Sequence, residues 1–268
     1  MKLLSSLLIL IISFLAFNFQ DNAPVQNPPF YDTDTTWVNQ VMSSLTLEQR
    51  IAQLFMVAAY SNKGVSHQQE IENLISKYHI GGLMFMQGGP IRQLHLTNTY
   101  QSLSKVPLMI AQDAEWGLSM RIDSTIRFPW QMTLGAIQND SLIYQMGLDV
   151  AEQCRRLGVH INFAPVVDVN SNPKNPIINN RSFGENPFRV AQQSLAYMQG
   201  LQDGGVMACA KHFPGHGDTD SDSHKTLPTI NHSYERLDTV DLIPFKTLFD
   251  KGLGSVMVAH LHIPALDD

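Results

Sequence analysis

VMACAKHFPGHGDTDSDSHKTLP, residues 206–228, joins two unlike halves. The first half, VMACAKHF, is a short apolar run that ends on Lys211, His212 and Phe213. Bounded by Pro214 and Gly215, it has the length and composition of a buried strand. The second half carries His216, Asp218, Asp220, Asp222 and His224 among glycines and prolines, a composition that forms neither helix nor strand. Titratable chemistry thus begins where an apolar strand ends, and that position, more than the composition, governs the choice of fold.

The same punctuation recurs along the chain. LFMVAAY (54–60), IGGLMFM (80–86), VPLMIAQD (106–113), HINFAPVVDV (160–169) and GSVMVAHLHI (254–263) are further apolar runs. Amphipathic stretches such as 66–79, 140–158 and 232–252 separate them. Continuously apolar strands alternating with helices predict a parallel sheet covered by helices. Asp113, Asp168, Lys211, His212, His260 and His262 lie at or near the C-terminal ends of the runs. In a (β/α)₈ barrel that end gathers the functional groups. A doubly wound sheet shares the periodicity, but no glycine-rich phosphate fingerprint follows the first strand. The six runs fall short of the eight strands a barrel needs, and the sequence stops at ALDD. The expected fold is an α/β barrel of the TIM type, truncated after about the sixth strand.

Composition narrows the partners. The chain has 268 residues, 44% hydrophobic and 16% charged, with a net charge of -6, which suits a soluble globular domain and gives no basic footprint for nucleic acid. Cys154 and Cys209 are too few for a disulfide framework and sit in apolar segments, so both are expected as buried thiols. Residues 1–20 have one early lysine and an apolar run from Leu3 to Phe17, the pattern of a signal peptide. Export to the periplasm or medium of a bacterium follows, with membrane attachment only through an uncleaved leader. Residues 21–35 are expected as a linker and 36–268 as the partial barrel. Ser44 or Thr46, ahead of Glu48 and Gln49, marks a helix start.

Three chemistries compete for the 211–228 loop. Asp218, Asp220 and Asp222 imitate the first ligands of a calcium loop, but Ser223 and Thr229 stand where glycine and a bidentate glutamate belong. Zinc lacks a His-Glu-x-x-His helix. No metal is therefore expected. A solvated acidic turn leaves the histidines unexplained. Two residues apart on an extended loop, Asp222 and His224 can share one side. The carboxylate then fixes the imidazole's tautomer, and the other ring nitrogen transfers a proton.

The loop also resembles the signature of family 3 glycoside hydrolases of the β-N-acetylglucosaminidase type. AQDAEWGLSMR (111–121) is similar to that family's D-x-E-G-G-x-x-x-R element, INFAPVVDVN (161–170) to its fourth-strand motif, NRSFG (180–184) to its R-S-F-G and VMVAHLHIPALD (256–267) to its sixth-strand segment. The resemblance runs in family order from about Trp37 to the end. It implies that His224 protonates the leaving oxygen with Asp222 assisting. It places Asp113, Arg121, Arg181, Lys211 and His212 at sugar-binding positions, with no cofactor. Plainer roles stand beside these: Arg181 pinning a loop to Glu185, Glu115 supporting the ligand-binding residues, and His260 and His262 holding structure; Asp168 is open between capping a helix or tying barrel loops together and touching the ligand directly. Trp116 replaces a usual glycine, where it narrows the sugar site or lines its edge. The family's nucleophile is a separate aspartate on a strand after the sixth, beyond Asp267 and Asp268. The resemblance implies a retaining, exported β-N-acetylglucosaminidase acting on GlcNAc-containing glycans such as peptidoglycan fragments. A family 3 β-glucosidase, an inert sugar-binding fragment and a phosphorylase are the alternatives.

Overall fold

The computed structural model describes residues 25–222 and 227–267. Six strands form one sheet: β1 (Met56–Tyr60), β2 (Gly82–Gln87), β3 (Met109–Gln112), β4 (Ile161–Asn162), β5 (Met207–Phe213) and β6 (Ser255–Val258). Five lie within the apolar runs, and β2 passes the end of its run by one residue, Gln87. They neighbour one another strictly in chain order, and every pair is parallel. A doubly wound sheet reverses its order midway; an unbroken order is that of a barrel wall. The described chain is a partial (β/α) barrel.

Strand alternation sorts the side chains into two layers. Leu83, Phe85, Ile110, Ala208 and Ala210 join helix residues such as Ile71, Tyr100, Val150, Tyr197 and Phe245 in the main core. Ala111, Ile161 and Cys209 pack instead with Met56, Met84, Met207 and Met257, all from strands. This second cluster lines the inner face of the wall. Fully burying one such aliphatic or aromatic side chain is worth roughly 1.5–3 kcal/mol. The rows Met109–Ala111 and Met207–Cys209 extend, two residues on, to Asp113 and Lys211. Alternation therefore aims both charged groups inward at the C-terminal end.

Helices behave as the caps dictate. Thr46 Oγ1 accepts from the backbone N–H of Gln49, and Gln49 Oε1 accepts from that of Thr46, starting helix Leu47–Ala52. Asn186 accepts from Phe188 and Arg189 to start helix Pro187–Asp203. Helix Ser141–Arg156 crosses that helix where Gly147 meets Gly200, and a Cβ on Gly200 would lie 2.2 Å from the Tyr144 carbonyl. The expected helices 66–79 and 232–252 each contain a wider turn, at Leu74–Tyr78 and Leu237–Asp241. Among the described residues no helix is long and apolar enough to cross a membrane.

Two strand expectations are shortened. The 160–169 run is regular only at Ile161–Asn162. Pro165, lacking an N–H, interrupts the ladder, although its carbonyl still accepts from Lys211 and Val167 N–H donates to the Lys211 carbonyl. The 254–263 run ends as a strand at Val258. His262 then pairs its backbone with Pro228 and Ile230, a structural role. At the opposite end of the wall, part of the expected linker docks. Gln26 bridges Lys251, and Pro29, Phe30 and Thr33 help line a cavity with Met109, His160 and Met207. Cys154 and Cys209 are free and buried.

Candidate active site

The strands deliver Asp113 and Lys211 to the same point from positions 98 residues apart, with Lys211 Nζ 2.8 Å from Asp113 Oδ1. Lys211 is 2% exposed and also lies 2.7 Å from Oε1 of Glu115, which is fully buried. Arg121 closes on the other Asp113 oxygen at 2.5 Å. Arg181 grips Glu115 with both arms, Nε to Oε2 at 3.0 Å and Nη2 to Oε1 at 2.8 Å. This corrects the pairing with Glu185: the barrel brings Glu115 to Arg181 across 66 residues, in a buried setting where a two-pronged bond is strongest. Arg181 Nη2 also reaches His212 Nε2 at 3.2 Å. Thus Asp113, Arg121, Arg181, Lys211 and His212 form one connected network. Asp222 follows on the same loop, partly buried, and His224 lies outside the described residues.

The electrostatics follow from this alternation of sign. Burial by itself would raise the Asp113 carboxyl, but Lys211 and then Arg121 overcome it and hold it at about 2. Burial opposes ionisation of Glu115 in the same way, and Lys211 with Arg181 brings it to about 2. Lys211 is raised: burial disfavours its charge, and Glu115 and Asp113 more than restore it. All three groups stay charged at neutral pH.

His212 behaves differently. Burial outweighs Asp168 and pulls its pKa down. Arginine only donates, so His212 Nε2 must accept from Arg181, and its proton sits on Nδ1, 2.7 Å from Asp168 Oδ2. The imidazole is neutral, with a fixed tautomer. Asp168 is fully buried and also accepts from the backbone N–H groups of His212 and His216, so it ties strand end to loop. Burial would raise it, yet His212 and these N–H groups hold it below the usual carboxylate range.

Three uncharged residues that nothing in the sequence singled out hold the backbone beside these carboxylates in place. Asn162 pairs with Ala114 twice, Oδ1 accepting from its N–H at 3.0 Å and Nδ2 donating to its carbonyl at 3.2 Å. Tyr197 Oη donates toward the carbonyls of Ala114 and Glu115. Gln131 clamps Val166 in the same two-bond fashion. Trp116 packs on Trp130, ring centroids 4.0 Å apart, and Arg127 lies over both rings. Among the described residues no group of three or more His, Cys, Asp or Glu is arranged to hold a metal ion.

Residues 46–268 match the model of the glycosyl hydrolase family 3 N-terminal domain. A β-hexosaminidase A from Pseudoalteromonas piscicida is 40% identical over 213 residues, which is 74% of this chain and 36% of that protein. A solved glycoside hydrolase family 3 β-N-acetylglucosaminidase from Paenibacillus sp. str. FPU-7 superposes with a TM-score of 0.76 at 36% identity, covering 82% of this chain and 43% of that one. NagZ from Neisseria gonorrhoeae, solved with N-trifluoroacetyl-D-glucosamine, gives a TM-score of 0.70 at 32% identity, over 79% of this chain and 65% of that one. The chain thus spans between about a third and two thirds of the length of these relatives. Wall, charged network and family match agree: this chain belongs to glycosyl hydrolase family 3, through that family's N-terminal domain.

Proposed function

We propose that the protein is an exported, retaining β-N-acetylglucosaminidase that removes terminal β-GlcNAc from glycans such as peptidoglycan fragments. The supporting observation is the Asp113–Lys211–Glu115–Arg181 network at the C-terminal ends of β3 and β5. Every member is paired before substrate arrives, and Asp113, Arg121, Arg181 and His212 keep part of their surface open. A pyranose presents hydroxyls that both donate and accept. Asp113 accepts from them while Arg121 and Arg181 donate, which fixes the ring's orientation.

In this reading His224 donates a proton to the glycosidic oxygen as a carboxylate attacks the anomeric carbon and the C–O bond breaks. His224 then takes a proton from water as the glycosyl-enzyme is hydrolysed. Asp222 accepts from the second imidazole nitrogen and fixes the tautomer. The attacking aspartate is the one the family places on a later strand. The relatives named as hexosaminidases and the N-acetyl-type ligand of NagZ favour GlcNAc over glucose. The protein at its full natural length is incubated with chromogenic β-GlcNAc and β-glucose glycosides. Release from the GlcNAc glycoside, abolished by His224→Ala, is expected. No release, or equal turnover by the variant, refutes the reading, and a preference for the glucoside replaces it with a β-glucosidase.

A further inference from the structure

Asp218 opens the acidic stretch of the loop and takes no part in the network above. Its carboxylate is held on both oxygens, by residues from two separate segments. Ser171 Oγ donates to Oδ1 at 3.0 Å, and His232 Nε2 donates to Oδ2. The neighbouring backbone is tied just as closely. Asn175 Nδ2 donates to the His216 carbonyl at 2.8 Å, and Asn172 Nδ2 to that of Thr219 at 3.3 Å. A Cβ on Gly217 would lie 1.8 Å from the Val169 carbonyl oxygen, so only glycine lets the loop approach this closely.

His232 differs from these anchors because it comes from the returning limb. It lies 14 residues after Asp218, and between the two run Asp222 and His224. The returning limb is fixed further by the backbone pairing of Pro228 and Ile230 with His262. Beneath the loop sits Asp241, buried and bonded to Arg236 Nη1 at 2.8 Å. It packs against Gly215, where a Cβ would meet Asp241 Cβ at 2.9 Å. The His232–Asp218 bond therefore joins the outgoing and returning limbs at their root, above a packed floor. A cross-link at the root of a loop removes conformations from everything it encloses.

We propose that His232 is a positioning residue for proton transfer, acting through Asp218 to hold the loop that carries Asp222 and His224. The inference rests on the acid/base reading of that pair given above. His232 touches no substrate in this account. Its contribution is to keep the proton donor at a set distance from the glycosidic oxygen, where small misplacements are costly.

The test compares two substrates and one measurement that needs no activity. A dinitrophenyl β-GlcNAc glycoside has a leaving group that departs with little protonation, whereas chitobiose needs it. His232→Ala is expected to lower kcat/KM for chitobiose about tenfold or more, out of the 10²–10⁴ that general acid–base catalysis supplies, and for the dinitrophenyl glycoside less than about twofold. Asp218→Asn should give the same pattern, and the double variant should be no worse than either single one. His232→Gln, which keeps an N–H donor, should recover much of the loss. Hydrogen exchange of backbone amides from Gly215 to Asp222 should quicken in His232→Ala while the rest of the chain is unchanged. Equal losses on both substrates, or unchanged exchange in that segment, overturn the proposal. If the unaltered protein cleaves neither substrate, the glycosidase reading fails, and the exchange measurement alone decides whether His232 holds the loop.

Discussion

Replacing Glu115 by glutamine keeps the shape of the side chain and removes one buried negative charge. Two cations depend on it: Lys211, 2% exposed, and the two-pronged Arg181. The carboxyl falls from 4.5 to about 2 on folding, so its ionised form is favoured by roughly 3 kcal/mol at 1.36 kcal/mol per pKa unit. Removing one partner of a buried ion pair costs about 3–5 kcal/mol, which agrees. For a chain of this size about 1 kcal/mol moves Tm by roughly 2–4 °C, so Glu115→Gln should melt about 8–15 °C lower at pH 7. The pH dependence carries the sharper test. A carboxylate with a depressed folded pKa stabilises fully above its unfolded value, and that stabilisation is lost as pH falls toward the folded one. The gap in Tm between the two proteins should therefore be full above about pH 5 and narrow steadily from about 4.5 toward 2. Calorimetric melts across that range read it directly. A gap under about 2 °C at neutral pH, or one that stays constant down to pH 3, would show that Glu115 is not the anchor of the two cations.

Lys211→Met leaves Asp113 and Glu115 facing each other without their shared cation. It should destabilise the fold by about 3 kcal/mol or more in urea titrations and abolish GlcNAc binding in calorimetry. Asn162→Ala leaves the buried Ala114 N–H without an acceptor, while Tyr197 still donates to the Ala114 carbonyl, and should cost about 1–3 kcal/mol, read as a lowered urea midpoint with unchanged slope. Cys154 is pushed up to about 12 by burial, and burial raises Cys209 as well. Neither should react with Ellman's reagent at pH 8 until urea is added; rapid labelling of the folded protein contradicts their burial.

The wall was readable because burial on both faces forces apolar runs, and charge at their ends breaks the pattern visibly. Six runs became six strands. Their lengths were less readable, since Pro165 withholds a donor inside an otherwise apolar stretch. The charged members of the network could be named individually, but not their pairing. Arg181 has Glu185 four residues away in the sequence, and only chain winding supplies Glu115 instead. Gln131 and Tyr197 left no trace, and Asn162, although inside the 161–170 motif, had nothing to single it out. An uncharged amide or phenol inside a strand or helix has no periodic signature, and its importance appears only with the backbone groups it satisfies. His232 escaped notice for a related reason: its partner belongs to the other limb of the loop.

The network of Arg121, Asp113, Lys211, Glu115, Arg181 and Asp168 matches three cations with three carboxylates, and His212 beside them is neutral. In the proposed function these residues offer a sugar many directional donors and acceptors, yet project almost no net field into solution. Dissolved salt has little to screen, because the Debye length of about 3 Å at 1 M is no shorter than the spacing of the buried pairs. Affinity for an uncharged saccharide should consequently stay level from dilute buffer to brine.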